Sequence, residues 1–216
     1  MHLRELQKLV AQGEGFRLEF KRKAAHPDKI MREVSAFANS GGGHLLIGVD
    51  DNGEIPGLKY PDEDEFVLKQ AIVKHCPAIQ YELHRTVVSP NRQVLVFHIQ
   101  PSQAKPIYVI YNFKRNTGRA YVRVADKSVQ ASWEMRQILR QIDLPQPVGF
   151  SYGENEQKLV QYLAQHPTID VDTYAQVASL PRKTASELLV RLTLANLLKI
   201  VPDEVRDTFA MRENLD

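Results

Sequence analysis

The sequence predicts an α+β fold organised as two domains, and three observations carry that reading. Residues 37–53 place a helix end, three consecutive glycines, a buried strand and an acidic turn in immediate succession. Residues 80–124 then hold four apolar or alternating strand patterns separated by turn residues. A segment with prolines at 145 and 147 and glycines at 149 and 153 divides this part from a carboxy-terminal stretch of three helical patterns and two short strands.

Each element follows from its residues. Leu3, Leu6 and Val10 give a short helix over 3–11, and Gly13-Glu14-Gly15 turns the chain into a strand at Phe16 to Lys21. After Pro27, Ile30, Val34, Phe37 and Ala38 recur at helical spacing until Gly41-Gly42-Gly43 ends the helix, where a left-handed backbone costs least. The nearly all-apolar run 44–49 is a buried strand, and Asp51-Asn52-Gly53 reads as a hairpin turn. Asp62 to Glu65 suit the amino end of a helix running from Phe66 to His75, closed by Pro77. Strands at 80–88 and 93–100 flank Ser89 to Arg92 as a hairpin, and strands at 107–111 and 119–124 flank a basic loop, Asn112 to Gly118. Trp133 to Gln141 is expected to close the first domain, so the boundaries are 1–142 for that domain, 143–153 for a linker and 154–216 for the second. In the second, helices at 154–165, 171–178 and 181–198 precede strands at 199–201 and 208–211. That order is the winged-helix arrangement, whose third helix is the usual DNA reader.

Composition narrows the functional classes. The 216 residues carry a net charge of +2, too balanced by itself to demonstrate a nucleic-acid partner. The charge is unevenly spread: residues 1–152 hold 21 basic against 16 acidic side chains, and 153–216 hold 7 against 10. Cys76 is the single cysteine, which excludes an intrachain disulfide and a thiolate zinc site and fits a reducing compartment. The seven histidines show no metal-ligand spacing. With a charged amino terminus and no apolar run of membrane-spanning length, a cytoplasmic protein without a membrane partner is expected.

The motifs Glu14 to Lys21, Ala36 to Asn39 and Gly48-Val49-Asp50-Asp51 together resemble the Schlafen AlbA-like domain family. Lys105 to Tyr108 and Ala120 to Val124 resemble its later strands, so the likeness covers the first two thirds of the chain; Ala125 departs from it, since many members carry glycine there. The resemblance implies a mixed sheet. It also implies, through the nuclease members, an acidic triad at Glu14, Glu19 and Asp51 holding Mg²⁺ or Mn²⁺ to activate water for phosphodiester cleavage, with Lys21 on phosphate. For those acids to converge, Glu14 must lie in the turn before the strand. A plainer reading stands beside this: Glu14 as a solvated turn residue, Glu19 as the partner of Lys21, and Asp51 as a turn former. The family has also been described as a divergent ATPase, but these glycines follow a helix and open a strand, the reverse of a phosphate loop, so ATP is not expected.

The strongest nucleic-acid candidate is the stretch Lys105 to Lys127. Lys105, Lys114, Arg115, Arg119 and Arg123 supply phosphate attraction, interleaved with Tyr108, Tyr111, Phe113 and Tyr121 for stacking; Arg17, Lys21, Arg22 and Lys23 add charge on the first strand. In the second domain Arg182, Lys183, Ser186 and Arg191 stand off the buried stripe of the third helix as groove-contacting types. The first expectation is a nucleic-acid-binding protein, a DNA-binding transcriptional regulator needing no cofactor. A metal-dependent endoribonuclease of structured, tRNA-like RNA is the alternative, and a protein-interaction module the third. Relatives with two such lobes imply homodimerisation for a chain with one.

Overall fold

The computed structural model describes residues 1–143 and 152–212, arranged as two compact units, Met1–Gln130 and Ala131–Asp216. The first unit contains α1 (Leu3–Val10), β1 (Leu18–Lys21), α2 (Pro27–Asn39), β2 (Gly43–Ile47), α3 (Pro61–His75), β3 (Tyr81–Ser89), β4 (Arg92–Ile99), β5 (Tyr108–Asn112), β6 (Thr117–Val124) and β7 (Lys127–Gln130).

Four strands form a mixed sheet in the order β1-β2-β4-β3, with β1 parallel to β2 and the other neighbours antiparallel. Both faces are covered, which explains why β2 and β4 read as continuous apolar runs. Leu46, Val94 and Val96 meet Leu6 and Val10 of α1 on one face. Leu45, Ile47, Leu95 and Phe97 meet Ile30, Val34 and Phe37 of α2 on the other. Full burial of a side chain such as Phe37 stabilises by about 1.5–3 kcal/mol.

The helix-to-strand turn has the form its glycines suggest. Gly42 has φ +84° and its amide reaches back to the Phe37 carbonyl at 2.8 Å, closing the last turn of α2. Gly43 lies against the Phe37 ring, where an added Cβ would come within 2.3 Å of it. The acidic turn also forms, with the Gly53 amide donating to the Asp50 carbonyl at 2.8 Å. It is not a strand hairpin, however, because both neighbours of β2, β1 and β4, come from elsewhere in the chain.

A second sheet, β5-β6-β7, packs on α2. Its attachment point is Asn39, which is buried: the side chain accepts from the Ile107 amide at 2.8 Å and donates to the Tyr121 carbonyl at 2.8 Å. Strand β7 is absent from the sequence expectation. With four residues and Val129 as its one apolar member, it carries too little pattern to register.

The second unit contains α4 (Trp133–Gln141), α5 (Glu154–Leu163), α6 (Val171–Ala178), α7 (Arg182–Leu194), β8 (Leu198–Val201) and β9 (Thr208–Met211). Asp170 caps α6 by accepting from the Thr173 amide at 2.7 Å. Leu159, Tyr174, Leu189 and Phe209 make the core, and Ile169 bridges to Phe209 beside the β8-β9 pair. Helix α4, expected to close the first domain, shares this core through Ile138, and its buried Glu134 accepts a hydrogen bond from Ser186 of α7 at 2.5 Å. Most of the expected linker, residues 144–151, lies outside the described residues.

Candidate nucleic-acid interface

Strand alternation decides what β1 presents. Leu18 and Phe20 enter the core beneath α1, so Glu19 and Lys21 face the other way. Glu19, 7 % exposed, meets Lys21 Nζ through Oε1 and Arg123 Nη1 through Oε2, the latter at 3.0 Å. Glu14 lies in the preceding turn, as convergence requires; its Oε1 accepts from the Phe20 amide at 2.8 Å and stands 4.0 Å from Lys21 Nζ. Two of the three candidate acids thus converge on one ammonium. Asp51 is exposed on its turn and lines a cleft with Gly13 and Phe20, near enough to Glu14 for its charge to add to the upward push on that carboxyl.

Arg123 organises this cluster from within. Expected as a nucleic-acid contact, it has a side chain that is 0 % exposed and is an internal cation instead. Its Nη1 also reaches Glu33 at 2.9 Å and Ser128 at 3.0 Å, Nη2 donates to the Gly15 carbonyl at 2.6 Å, and the guanidinium lies 4.8 Å from the Phe37 ring centre. Burial holds the Glu33 carboxyl above its ordinary value, opposed by the Ser128 hydroxyl, and burial likewise raises Glu14 against the Phe20 amide. Glu33 escaped the sequence reading, although it sits three residues after Ile30 and four before Phe37, on the apolar face of α2. A carboxylate there needs a buried cation.

This donor set does not fit a divalent cation as arranged. Both oxygens of Glu19 already accept from cations, and among the described residues no group of three His, Cys, Asp or Glu side chains stands together as a metal site. A carboxylate released from Lys21 would be the first requirement of any metal here.

The β5–β6 hairpin offers different chemistry. The Asn112 side chain accepts from the Arg115 amide at 3.1 Å, and Asn116 takes φ +50° to turn the loop. Lys114, Arg115 and Arg119 are exposed and, among the described residues, make no ion pair. Beside them Phe113 is 50 % exposed, with Lys74 Nζ 5.2 Å from its ring centre, and Tyr111 is partly exposed. Tyr121 is buried, its hydroxyl 3.3 Å from that of Tyr111, and so offers no stacking face. Arg17 is exposed, Lys105 is half-buried, and Arg22 pairs with Asp50 at 3.5 Å.

The family described as Schlafen, AlbA_2 matches residues 14–132, more than half of the chain. The chain belongs to the Schlafen AlbA_2 family. The match begins at Glu14 and ends just beyond β7, so it takes in the ion-pair cluster, the Asn39 anchor and the basic hairpin. Among solved structures, the DIP2311 protein from Corynebacterium diphtheriae is 19 % identical, with a TM-score of 0.45 over 97 % of this chain. The chain spans 43 % of that protein's length. No curated protein matches the chain.

The helices and strands of the second unit lie beyond the Schlafen AlbA_2 match, and its candidates fare unequally. Lys183 is exposed at the start of α7, whereas the Arg182 Nε donates to Asp172 at 2.8 Å. Ser186, expected on the outer face, is buried and donates to Glu134, and Arg191 lies 3.8 Å from Glu156.

Proposed function

We propose that this chain is a nucleic-acid-binding protein whose first unit grips the phosphate backbone with Lys114, Arg115 and Arg119 while Phe113 stacks on an unpaired base. One observation carries the reading: three exposed cations without ion-pair partners among the described residues stand beside a half-exposed aromatic ring on a single hairpin. Arg17 adds charge on the β1 side. Family membership supports the same class of partner, and no described helix is long and apolar enough to cross a membrane.

The finer reading is a cytoplasmic, homodimeric DNA-binding transcriptional regulator. It rests on the order α5-α6-α7-β8-β9 within the second unit, which matches the order expected of a winged helix, with Lys183 exposed on α7 and Arg182 able to join it on leaving Asp172. Binding is favoured over cleavage because Glu19 is committed to two cations.

The test is fluorescence anisotropy with labelled duplex DNA, single-stranded RNA and hairpin RNA across a salt series. Reversing Lys114 and Arg115 to Glu lowers affinity at least tenfold and flattens the log–log salt slope by about two. An unchanged slope overturns the hairpin assignment. Incubating tRNA with Mn²⁺ or Mg²⁺ beside an Asp51→Ala variant, altered only at an exposed turn, decides the nuclease alternative. Discrete fragments lost in that variant would put cleavage first.

A further inference from the structure

Helix α3 is apolar on two sides. Leu68, Ala71 and Ile72 are buried against the first unit's core, but Phe66 is 64 % exposed and Val73 69 % exposed. Exposed positions 63, 66, 67, 70, 73 and 74 recur at three- and four-residue intervals, so they form one stripe along the helix. Its apolar members are Phe66, Val67 and Val73, with Gln70 between them. A contiguous stripe of this kind marks an interaction surface more often than scattered exposed residues do.

The charges at the two ends identify what covers it. Glu63 stands at the amino end of the stripe and Lys74 at the carboxy end, and among the described residues neither makes an ion pair. The other first-turn acids are engaged: Asp62 with Arg85 at 2.7 Å, Asp64 with the Ala24 amide at 2.8 Å, Glu65 with Lys69 and Arg85. The face is therefore complementary to itself when reversed. We propose that α3 is a homodimer interface, packing antiparallel across a two-fold axis against α3 of a second copy.

The geometry of an ideal helix fits. Glu63 and Lys74 are separated by about 16 Å along the axis. An antiparallel partner therefore sets Glu63 opposite Lys74 of the second copy, and the two-fold repeats the contact at the other end. In that register Phe66 falls at the level between Gln70 and Val73 of the second copy, covering the apolar stripe from end to end. Opposed helix dipoles add to the same preference. Lys74 also lies over the Phe113 ring of the β5–β6 hairpin, 5.2 Å from its centre, so it is Val73→Asp and Glu63→Lys, at positions away from that ring, that separate dimerisation from nucleic-acid binding.

Sedimentation equilibrium on the full chain from about 1 to 100 μM tests it, that being the range of modest non-obligate contacts. The wild type self-associates to a dimer, and Val73→Asp, at a solvent-exposed position, is monomeric with an unchanged far-ultraviolet circular dichroism spectrum. Glu63→Lys and Lys74→Glu each weaken the dimer by about fivefold or more, because each places like charges at both symmetric contacts. The double variant Glu63→Lys/Lys74→Glu recovers the dimer, which only a 63-to-74 pairing between copies allows. A monomeric wild type throughout the range, a Val73→Asp variant that remains dimeric, or a double variant no tighter than the single ones overturns the proposal.

Discussion

The Asn39 side chain brackets the backbone of Ile107, accepting from its amide at 2.8 Å and donating to its carbonyl at 3.0 Å. One carboxamide thereby does the work of a paired strand residue, fixing the start of β5 to the end of α2. The same nitrogen donates to the Tyr121 carbonyl at 2.8 Å, so β6 is held as well. Asn39→Ala should destabilise the first unit by at least about 3 kcal/mol, since it strands buried backbone groups that each cost about 1–3 kcal/mol. Asn39→Asp should do nearly as badly despite its matching shape, because a carboxylate oxygen would face two carbonyl oxygens. Urea unfolding followed by circular dichroism measures both. A loss below 1 kcal/mol for either variant would show that the second sheet does not depend on this anchor.

Arg123 is the counter-charge on which Glu19 and Glu33 depend. Truncation to Ala leaves Glu33 buried without its cation, leaves Glu19 with Lys21 alone and opens space over Phe37, which should cost about 3–5 kcal/mol. Arg123→Lys should recover little of it, since a single ammonium cannot reach Glu19, Glu33, Ser128 and the Gly15 carbonyl together. Chemical denaturation ranks the variants. Nucleic-acid affinity of the folded Lys variant should stay within about twofold of wild type, as expected of a side chain hidden from solvent. A large affinity loss in a fully folded Arg123→Lys protein would return this residue to the interface.

Much of this was legible in the sequence where local signals and burial agree. Helix α2, the glycine turn and β2 are readable because Ile30, Val34 and Phe37 share a helical stripe and the glycines sit where positive φ is required. The β3–β4 hairpin is readable from its alternation and its Ser89 to Arg92 turn. Residues that act across long sequence separations were hidden. Arg123 looked like one more base in a basic stretch, although strand parity puts it on the same face as the buried Tyr121. Its partners Glu19 and Glu33 lie about a hundred positions away, and no local pattern joins them. The placement of α4 failed likewise, because an amphipathic helix shows that it has a partner without showing which.

Glu33 makes the cluster sensitive to pH. Burial raises its pKa above the ordinary 4.5, so the folded protein binds that proton more tightly than the unfolded chain does. The Glu33 contribution is therefore fully present below the unfolded value and is lost as pH rises through the folded one. Glu33→Gln, which keeps the shape and remains an acceptor for Ser128, removes this dependence. Unfolding free energies measured from about pH 4 to pH 8 should show the wild type gaining on the variant toward acid and losing ground toward neutrality. A difference that grows as pH rises would mean that Arg123, rather than burial, dominates the Glu33 carboxyl.

Ala125 occupies the two-residue turn between β6 and β7 with φ +53°, a left-handed conformation that costs an L-residue about 1–2 kcal/mol. Glycine relieves that cost but adds freedom to the unfolded chain, worth about 0.5–1 kcal/mol in the opposite direction. The balance predicts that Ala125→Gly stabilises the first unit by about 0.5–1 kcal/mol, while Ala125→Val, β-branched at the same φ, destabilises it. The effect should extend to the ion-pair cluster, because this turn sets the register that brings Ser128 opposite Arg123 and within reach of Glu33. Equilibrium unfolding of both variants beside a Ser128→Ala background separates the two contributions. If the turn acts through Ser128, the gain from glycine shrinks once the hydroxyl is gone; if it acts only through local backbone strain, the gain is the same in both backgrounds.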